Sequence, residues 1–268
     1  MEAKNIPFEK TISGVYEKYL GPYLYEPYSV YVTSRIKAHP KKVLEIGVGS
    51  GRLTNHLANK IGAQAMLHAI DINSNMLEIA REKVKASNVE FLVADAQSLP
   101  FPDHSFDCVI CQFSFMFLPD KQKGFNEAWR VLKPGGQFIF LTWDKAENNR
   151  TLHISQQTIL EFLKNEPPAY FGKAYAAMNN PDVLLDYTRA AGFENTSIEK
   201  ITLTGQSPTA MDAAIGFVEG NSIIKEILKE GPELLETIKT TITARIHEQV
   251  GKDPISSELN AWLGEAFK

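Results

Sequence analysis

Apolar and polar positions fall into two rhythms from residue 41 onward. Short apolar runs bounded by glycine or aspartate alternate with stretches where apolar residues recur every third or fourth position, the signatures of buried strands and amphipathic helices. "KKVLEIGV" is the first run. "GRLTNHLANKIG" follows it, with Leu53, Leu57 and Ile61 on one helical face and Gly62 suited to stop the helix. "AMLHAIDI" predicts a second strand, and "SNMLEIAREKVKAS" a helix whose Ser74 suits the N-cap. "VEFLVADA" and "FDCVICQF" predict the third and fourth strands. "KGFNEAWRVLKPGG" reads as a helix closed by a Pro-Gly-Gly turn, and "QFIFLTW" as the fifth strand. Strands separated by helices of this length imply parallel crossovers, so the fold class is α/β with a doubly wound, mostly parallel sheet.

The second half is less regular. "NRTLHISQQTILEFLKNEPP" reads as a helix inserted after strand five. "PDVLLDYTRAAGF" is a helix with Pro181 near its start and Gly192 at its end. "ENTSIEKITLTG" alternates like a strand. "SPTAMDAAIGFVEGNSIIKEILKE" and "PELLETIKTTITARIHEQVG" predict two helical segments, and the tail "LNAWLGEAFK" a last strand. The expected organisation is one domain over 1–268. Residues 37–145 form its ligand-binding core, 146–180 and 206–251 a helical cap, and 181–205 and 252–268 return to the sheet.

Composition narrows the function classes. The chain is 44% hydrophobic and 22% charged, enough for a sizeable core, and carries a formal net charge of −4 with scattered Lys and Arg. Without a basic stripe, nucleic acid and anionic membrane are not expected partners. No signal-like start or membrane-length apolar run is read, so the protein is expected in the cytoplasm. Cys108 and Cys111 have C-x-x-C spacing, but on a strand two residues three apart point to opposite faces, which predicts structural thiols. The six histidines show no ligand spacing, and no metal site is expected.

"VLEIGVGSGRLT" carries the chemistry. Gly47, Gly49 and Gly51 fall between strand one and the first crossover helix, where glycine admits positive φ and lets a ligand lie on the backbone. The spacing is not G-x-G-x-x-G, because Arg52 stands where the third glycine of a dinucleotide loop belongs. Asp71 ends strand two, 20 residues beyond Gly51, where a carboxylate accepts from both ribose hydroxyls of either class of nucleotide. Asp95 ends strand three and precedes small Ala96, so its carboxylate can accept from an adenine amino group while the Ala96 amide meets a ring nitrogen. Taken alone, Asp95 equally well caps its own turn.

Together VLEIGVGSGRLT, AIDINSNML, VADAQSLPF, FDCVICQFSFMFLPD and LKPGGQFIFLTW resemble the ordered motifs of class I S-adenosylmethionine-dependent methyltransferases, over roughly residues 41–145. The likeness is to the small-molecule subgroup related to the quinone and sterol methylating enzymes. It implies a Rossmann-like, seven-stranded sheet with S-adenosyl-L-methionine as cofactor and S-adenosyl-L-homocysteine as product. Carried over, Glu45, Gly47, Gly49 and Gly51 would line the methionine part and Asp71 the ribose. Ile72 and Met76 would flank the adenine, Asp95 and Ala96 would read its edge, and Gln112 and Phe113 would sit beside the amino-acid end or the transferring methyl. That cofactor has no pyrophosphate, so glycine is not required at position 52.

The acceptor side is expected to be a small, partly apolar molecule. Six of the nine tyrosines lie between Tyr16 and Tyr31, read either as helix packing or as a lid to which Tyr16 and Tyr23 contribute. Trp143 suits a pocket wall or the core, and His153 is the histidine placed to act as a base. Oxygen, nitrogen, sulfur and carbon acceptors are all compatible, and the helical tail suits a homodimer as well as a cap. Two other readings compete: an NAD-dependent oxidoreductase, which gives Asp95 and Ala96 no role, and a non-catalytic module that binds the cofactor.

Overall fold

A computed structural model describes residues 8–37, 39–164 and 177–268, with side chains from residue 12 onward. Its strands are β1 (Lys42–Ile46), β2 (Met66–Asp71), β3 (Val89–Val93), β4 (Phe106–Gln112), β5 (Leu132–Trp143), β6 (Asn195–Ser207) and β7 (Ile255–Phe267). They form one seven-stranded sheet in the order β3-β2-β1-β4-β5-β7-β6. The pairs β3–β2, β2–β1, β1–β4 and β4–β5 are parallel, and β5–β7 is antiparallel. This is the doubly wound, mostly parallel Rossmann-like sheet that the sequence predicts.

Two compact units divide the chain. The sheet unit comprises Tyr28–Lys145, Lys173–Thr202 and Asn260–Lys268; the helical unit comprises Met1–Pro27, Ala146–Gly172 and Leu203–Leu259. The helices within the sheet unit are α2 (Glu26–Arg35, from Tyr28 onward), α3 (Arg52–Ile61), α4 (Ser74–Lys83), α5 (Lys121–Val131) and α7 (Pro181–Ala191). Side chains alternate across β5, so Phe138 and Phe140 share one face. There Phe140 meets Phe125 of α5 edge-on at 5.1 Å, and Phe138 stacks on Phe193 at 5.4 Å. Gln137 and Trp143 have the other parity and meet α2. The buried Gln137 amide accepts from Lys37 N at 2.9 Å and donates to Arg35 O at 2.9 Å and to Glu265 at 2.8 Å. Tyr28 is fully buried beside Trp143.

Three local expectations are corrected here. The cap of α4 is Asn73 and not Ser74, because the Asn73 side chain accepts from the Asn75 and Met76 amides. The Pro134-Gly135-Gly136 stretch lies within β5 as a bulge: Phe106 pairs with Leu132 and Cys108 with Gln137, and the residues between are looped out. The run 207–230 is two helices rather than one, described below. Cys108 and Cys111 are free and buried, and burial pushes both thiols up, Cys111 to about 12.

The helical unit contains α1 (Phe8–Val15), a π-helical turn sequence (Tyr16–Tyr25), α6 (Arg150–Phe162), α8 (Ala210–Glu219), α9 (Ile223–Glu230) and α10 (Leu234–Gln249). The expected extension of α6 through "NEPP" lies outside the described residues. Small residues on α8 allow a close approach: a Cβ at Gly216 would stand 2.7 Å from Leu20. Ile238, Ile242 and Ile246 recur every fourth residue on α10 and are fully buried. Asn221 separates α8 from α9, donating to Phe217 O at 2.6 Å and accepting from Ile223 N at 2.9 Å. Among the described residues, no helix is long and apolar enough to cross a membrane.

Register sets one strict packing demand in the sheet unit. Phe140 lies opposite Gly264, and a Cβ at position 264 would stand 2.1 Å from the Phe140 ring. Gly264→Ala is expected to lower stability by about 1–3 kcal/mol through overpacking. Chemical denaturation of the variant checks this, with the native slope retained and a lower midpoint.

Candidate functional site

The four parallel strands β3, β2, β1 and β4 end side by side. Asp71 is level with Val93, and Ile46 is level with Ile70 and Cys111. Residues just beyond these ends therefore form a row that spans three strand spacings, about 14 Å. Asp95, Asp71, the glycine loop and Gln112 occupy it in that order.

The loop after β1 is pinned to β2. Gly47 N and Val48 N both donate to Ile70 O, at 2.8 and 3.1 Å, and Gly49 N donates to Asp71 Oδ2 at 2.8 Å. Gly47 at φ +76° and Gly49 at φ +55° both need the left-handed region that glycine enters at no steric cost. Gly47 also needs room, since a Cβ there would stand 2.2 Å from Ser114 Oγ, whereas nothing lies within 4 Å of a Cβ built at Gly49. Gly51 precedes α3 at φ +79°.

Asp71 Oδ1 accepts from Asn73 N at 2.8 Å. Burial raises its carboxyl above the ordinary range, against the pull of the Asn73, Gly49 and Ile72 amides. Beside it Ile72 is 70% exposed, an apolar side chain presented to solvent, and Met76 lies half-buried in the first turn of α4. Glu45 on β1 is 1% exposed, and its Oε2 has no hydrogen-bond partner. Asp95 Oδ1 accepts from Gln97 N at 2.8 Å and from the Gln97 side chain at 3.2 Å, so it does cap its own turn; Ala96 beside it is buried.

At the β4 end, Gln112 Nε2 donates to Ser29 Oγ at 3.0 Å. Phe113 follows at φ +55°, a left-handed conformation that costs a non-glycine residue about 1–3 kcal/mol and persists only where neighbours enforce it. Here they do. Its ring stacks on Trp143 at 4.1 Å and meets Tyr28 edge-on at 5.1 Å.

The eleven cofactor-side candidates and Trp143 all belong to the sheet unit. Tyr16, Tyr23 and His153 belong to the helical unit. Tyr16 lies against Tyr25 at 5.2 Å. Tyr23 is 1% exposed, and its hydroxyl joins Thr151 and Ser257 at 2.7 Å each, which favours the packing reading for this tyrosine. His153 on α6 is half-buried, its Nδ1 without a hydrogen-bond partner.

Several residues that shape this row escape sequence reasoning. Ser29 and Ser114 are isolated hydroxyls with no pattern around them. Glu127 and Arg130 hold the segment that carries Asp95: Leu99 N donates to Glu127 at 2.6 Å, and Arg130 donates to Leu99 O and Phe101 O at 3.0 and 2.8 Å. Their i,i+3 spacing on α5 is the only signal, and it is shared by many surface pairs.

The chain is similar to known proteins. A family model described as a methyltransferase domain matches residues 44–140. The ubiquinone/menaquinone biosynthesis C-methyltransferase UbiE of Marinomonas sp. (strain MWYL1) is 32% identical over 173 residues, which cover 60% of this chain and 69% of that protein. Among solved structures, phosphoethanolamine N-methyltransferase 2 of Haemonchus contortus, in complex with phosphomonomethylethanolamine and S-adenosylhomocysteine, superposes with a TM-score of 0.63 at 20% identity. The match covers 97% of this chain but 58% of that longer one. A SAM-dependent methyltransferase of Thermotoga maritima gives a TM-score of 0.55 at 19% identity, covering 97% of this chain and 99% of its own. At these identities the two structures speak for the fold.

The loop geometry carries its own test. Gly47→Ala is expected to cost about 1–3 kcal/mol of stability from the clash with Ser114, together with the strain of its φ. Adding Ser114→Gly should recover the clash and not the strain. Denaturation midpoints of the single and double variants measure both parts.

Proposed function

Given that this chain belongs to the class I S-adenosylmethionine-dependent methyltransferases, we propose that it methylates a small, partly apolar acceptor by in-line displacement at the carboxyl ends of β1 to β4. S-adenosylmethionine, when bound, supplies an electrophilic methyl carbon on a sulfonium, so the protein's work is alignment and exclusion of water.

One observation carries the reading of the site. A buried, unpartnered Glu45 oxygen lies behind a glycine loop whose Gly49 amide is already fixed on Asp71. Such a loop suits a ligand with a positive charge and no phosphate. A pyrophosphate would meet a Gly49 amide already committed to Asp71, where a dinucleotide site offers free amides, which argues against the NAD reading. The open space over Gly49 fits a ligand lying on the backbone.

In this assignment Asp71 accepts from the ribose hydroxyls, and Glu45 with the glycines holds the methionine end. Ile72 and Met76 cover the adenine faces, which gives the exposed Ile72 side chain something to meet. Asp95 accepts from the adenine amino group while Gln97 keeps its carboxylate oriented, and the Ala96 amide meets the ring. Gln112 and Phe113 stand beside the reacting end. Trp143, stacked on Phe113, supports its reading as a wall for the acceptor. No general base is required unless the acceptor must lose a proton. The lack of a basic stripe in the sequence favours a small acceptor over RNA. A rate on RNA or a protein that rivals small acceptors would overturn that part.

The direct test is calorimetric titration with S-adenosylmethionine, S-adenosylhomocysteine and NADH. Both adenosyl compounds are expected to bind in the micromolar range and NADH not at all. Asp71→Ala should weaken both by at least about tenfold, since hydrogen bonds to a charged acceptor contribute about 1.5–3 kcal/mol each. Binding of NADH alone would sink the assignment.

A further inference from the structure

We infer that Asp144, just beyond β5, is a positioning residue for the reacting end of the site: tied to Lys200 of β6 and Trp262 of β7, it fixes the aromatic clamp that holds Phe113 in its left-handed conformation. The inference rests on the cofactor reading above and deepens it, because it extends that site to residues of β6 and β7 that act through others.

Asp144 is 2% exposed, and three donors converge on its carboxylate. Lys200 Nζ meets Oδ2 at 2.7 Å, and the Lys145 amide donates to Oδ1 at 2.8 Å. The Trp262 indole donates to Oδ1 at 3.2 Å and shares its hydrogen with Asn179 O at 3.0 Å. The Asp144 amide donates to Asn260 O at 3.1 Å, and the Asn260 side chain accepts from the Thr202 hydroxyl at 2.7 Å. One residue thus joins β5, β7 and β6, and all of these groups belong to the sheet unit. A buried ion pair brings no stability over apolar side chains of the same volume, but breaking it strands a buried charge. What the three donors supply is direction, because the end of β5 cannot move without losing them.

That direction reaches Phe113 from two sides. Trp143 directly precedes Asp144, and its ring stacks on Phe113 at 4.1 Å. Tyr28, the other half of the clamp, donates to Ile201 O at 3.4 Å, so β6 holds it through the residue next to Lys200. Burial first, and then the Asp144 charge, keep the Tyr28 phenol protonated and able to donate. Phe113 at φ +55° needs both contacts, since a non-glycine residue leaves that region once its neighbours loosen. On one side of it stands Gln112 at the reacting end. On the other stands Ser114, whose hydroxyl leaves no room for a Cβ on Gly47. A shift of the Phe113 backbone therefore disturbs the reacting end and the wall of the glycine loop together.

The experiment is calorimetric titration of the full chain with S-adenosylhomocysteine, for the wild type, Lys200→Met and Lys200→Arg, each also on a Phe113→Gly background. Lys200→Met removes the charge that meets Asp144, and Lys200→Arg keeps it. Glycine at 113 enters the left-handed region without strain and has no ring to clamp, so Asp144 has nothing left to position through it. Lys200→Met is expected to weaken binding at least about fivefold in the wild-type background and less than about twofold with Phe113→Gly, a coupling within the range of residues that share one network. Lys200→Arg should stay within about twofold of the wild type. A purely structural residue would leave the affinity of the folded protein unchanged, or lower it equally in both backgrounds. Either result overturns the inference, as does a loss with Lys200→Arg equal to that with Lys200→Met. Should Lys200→Met fail to fold, Trp262→Phe takes its place by removing one neutral donor from the same carboxylate. A loss confined to the background that keeps Phe113 then supports the inference, and no loss or equal losses overturn it. If the wild type binds no S-adenosylhomocysteine, the cofactor reading itself falls, a result distinct from binding that is indifferent to Lys200.

Discussion

The Gly49 amide donates to the Asp71 carboxylate, and the rest of the site is arranged around that bond. It joins the loop after β1 to the end of β2, beside the Gly47 and Val48 amides that share Ile70 O as acceptor. Once made, it fixes the loop across the sheet edge with its left-handed glycines turned away from steric conflict. It also places Asp71 among backbone amides, Gly49 N on Oδ2 and Asn73 N on Oδ1, with the Ile72 amide beside them. Parallel register also contributes, because strands that end level bring Asp95, the loop and Gln112 into one row.

Next to this row the aromatic stack works as a clamp. Phe113 adopts a conformation its side chain disfavours, and Trp143 and Tyr28 hold its ring from two directions. Ser29, one residue along α2 from Tyr28, holds Gln112. One helix thus fixes the last residue of β4 and the residue that follows it. Gln137 anchors the far end of the same helix with both ends of its amide, so the clamp has a rigid base.

All seven strands have a counterpart in the sequence pattern: β1, β2, β4 and β5 as apolar runs, and β6 as an alternating one. Boundaries that depend on one polar side chain do not. Asn73 and Ser74 are both good caps, and only the backbone decides between them. The break at Asn221 does carry a signal, the run Gly220-Asn221-Ser222, but the apolar residues on either side read as helix on both flanks. The same division holds in the site. Gly47, Gly49 and Asp71 stand out because the chemistry demands those residue types at that spacing. Phe113 signals nothing of its left-handed φ, and Ser114 acquires meaning only when the fold brings it against Gly47.

The two edges of the sheet differ in how their polar and strained groups are satisfied. At the amino ends of β4 and β5, Asp107 accepts from the Lys41 and Lys42 amides and from Lys133, and the buried Gln137 amide uses both its ends. At the carboxyl ends, Glu45 keeps an unpartnered buried oxygen, at a cost of about 1–3 kcal/mol. Phe113 keeps a strained backbone there at a similar cost, and Ile72 offers its side chain to water. Each of these is unfavourable for folding alone, and all three lie along one 14 Å row, about the breadth of a nucleoside with its tail. Stability alone would have removed them. The cofactor reading proposed above would give each a partner: a cation for the carboxyl, a flat apolar face for Ile72 and a reacting group beside Phe113.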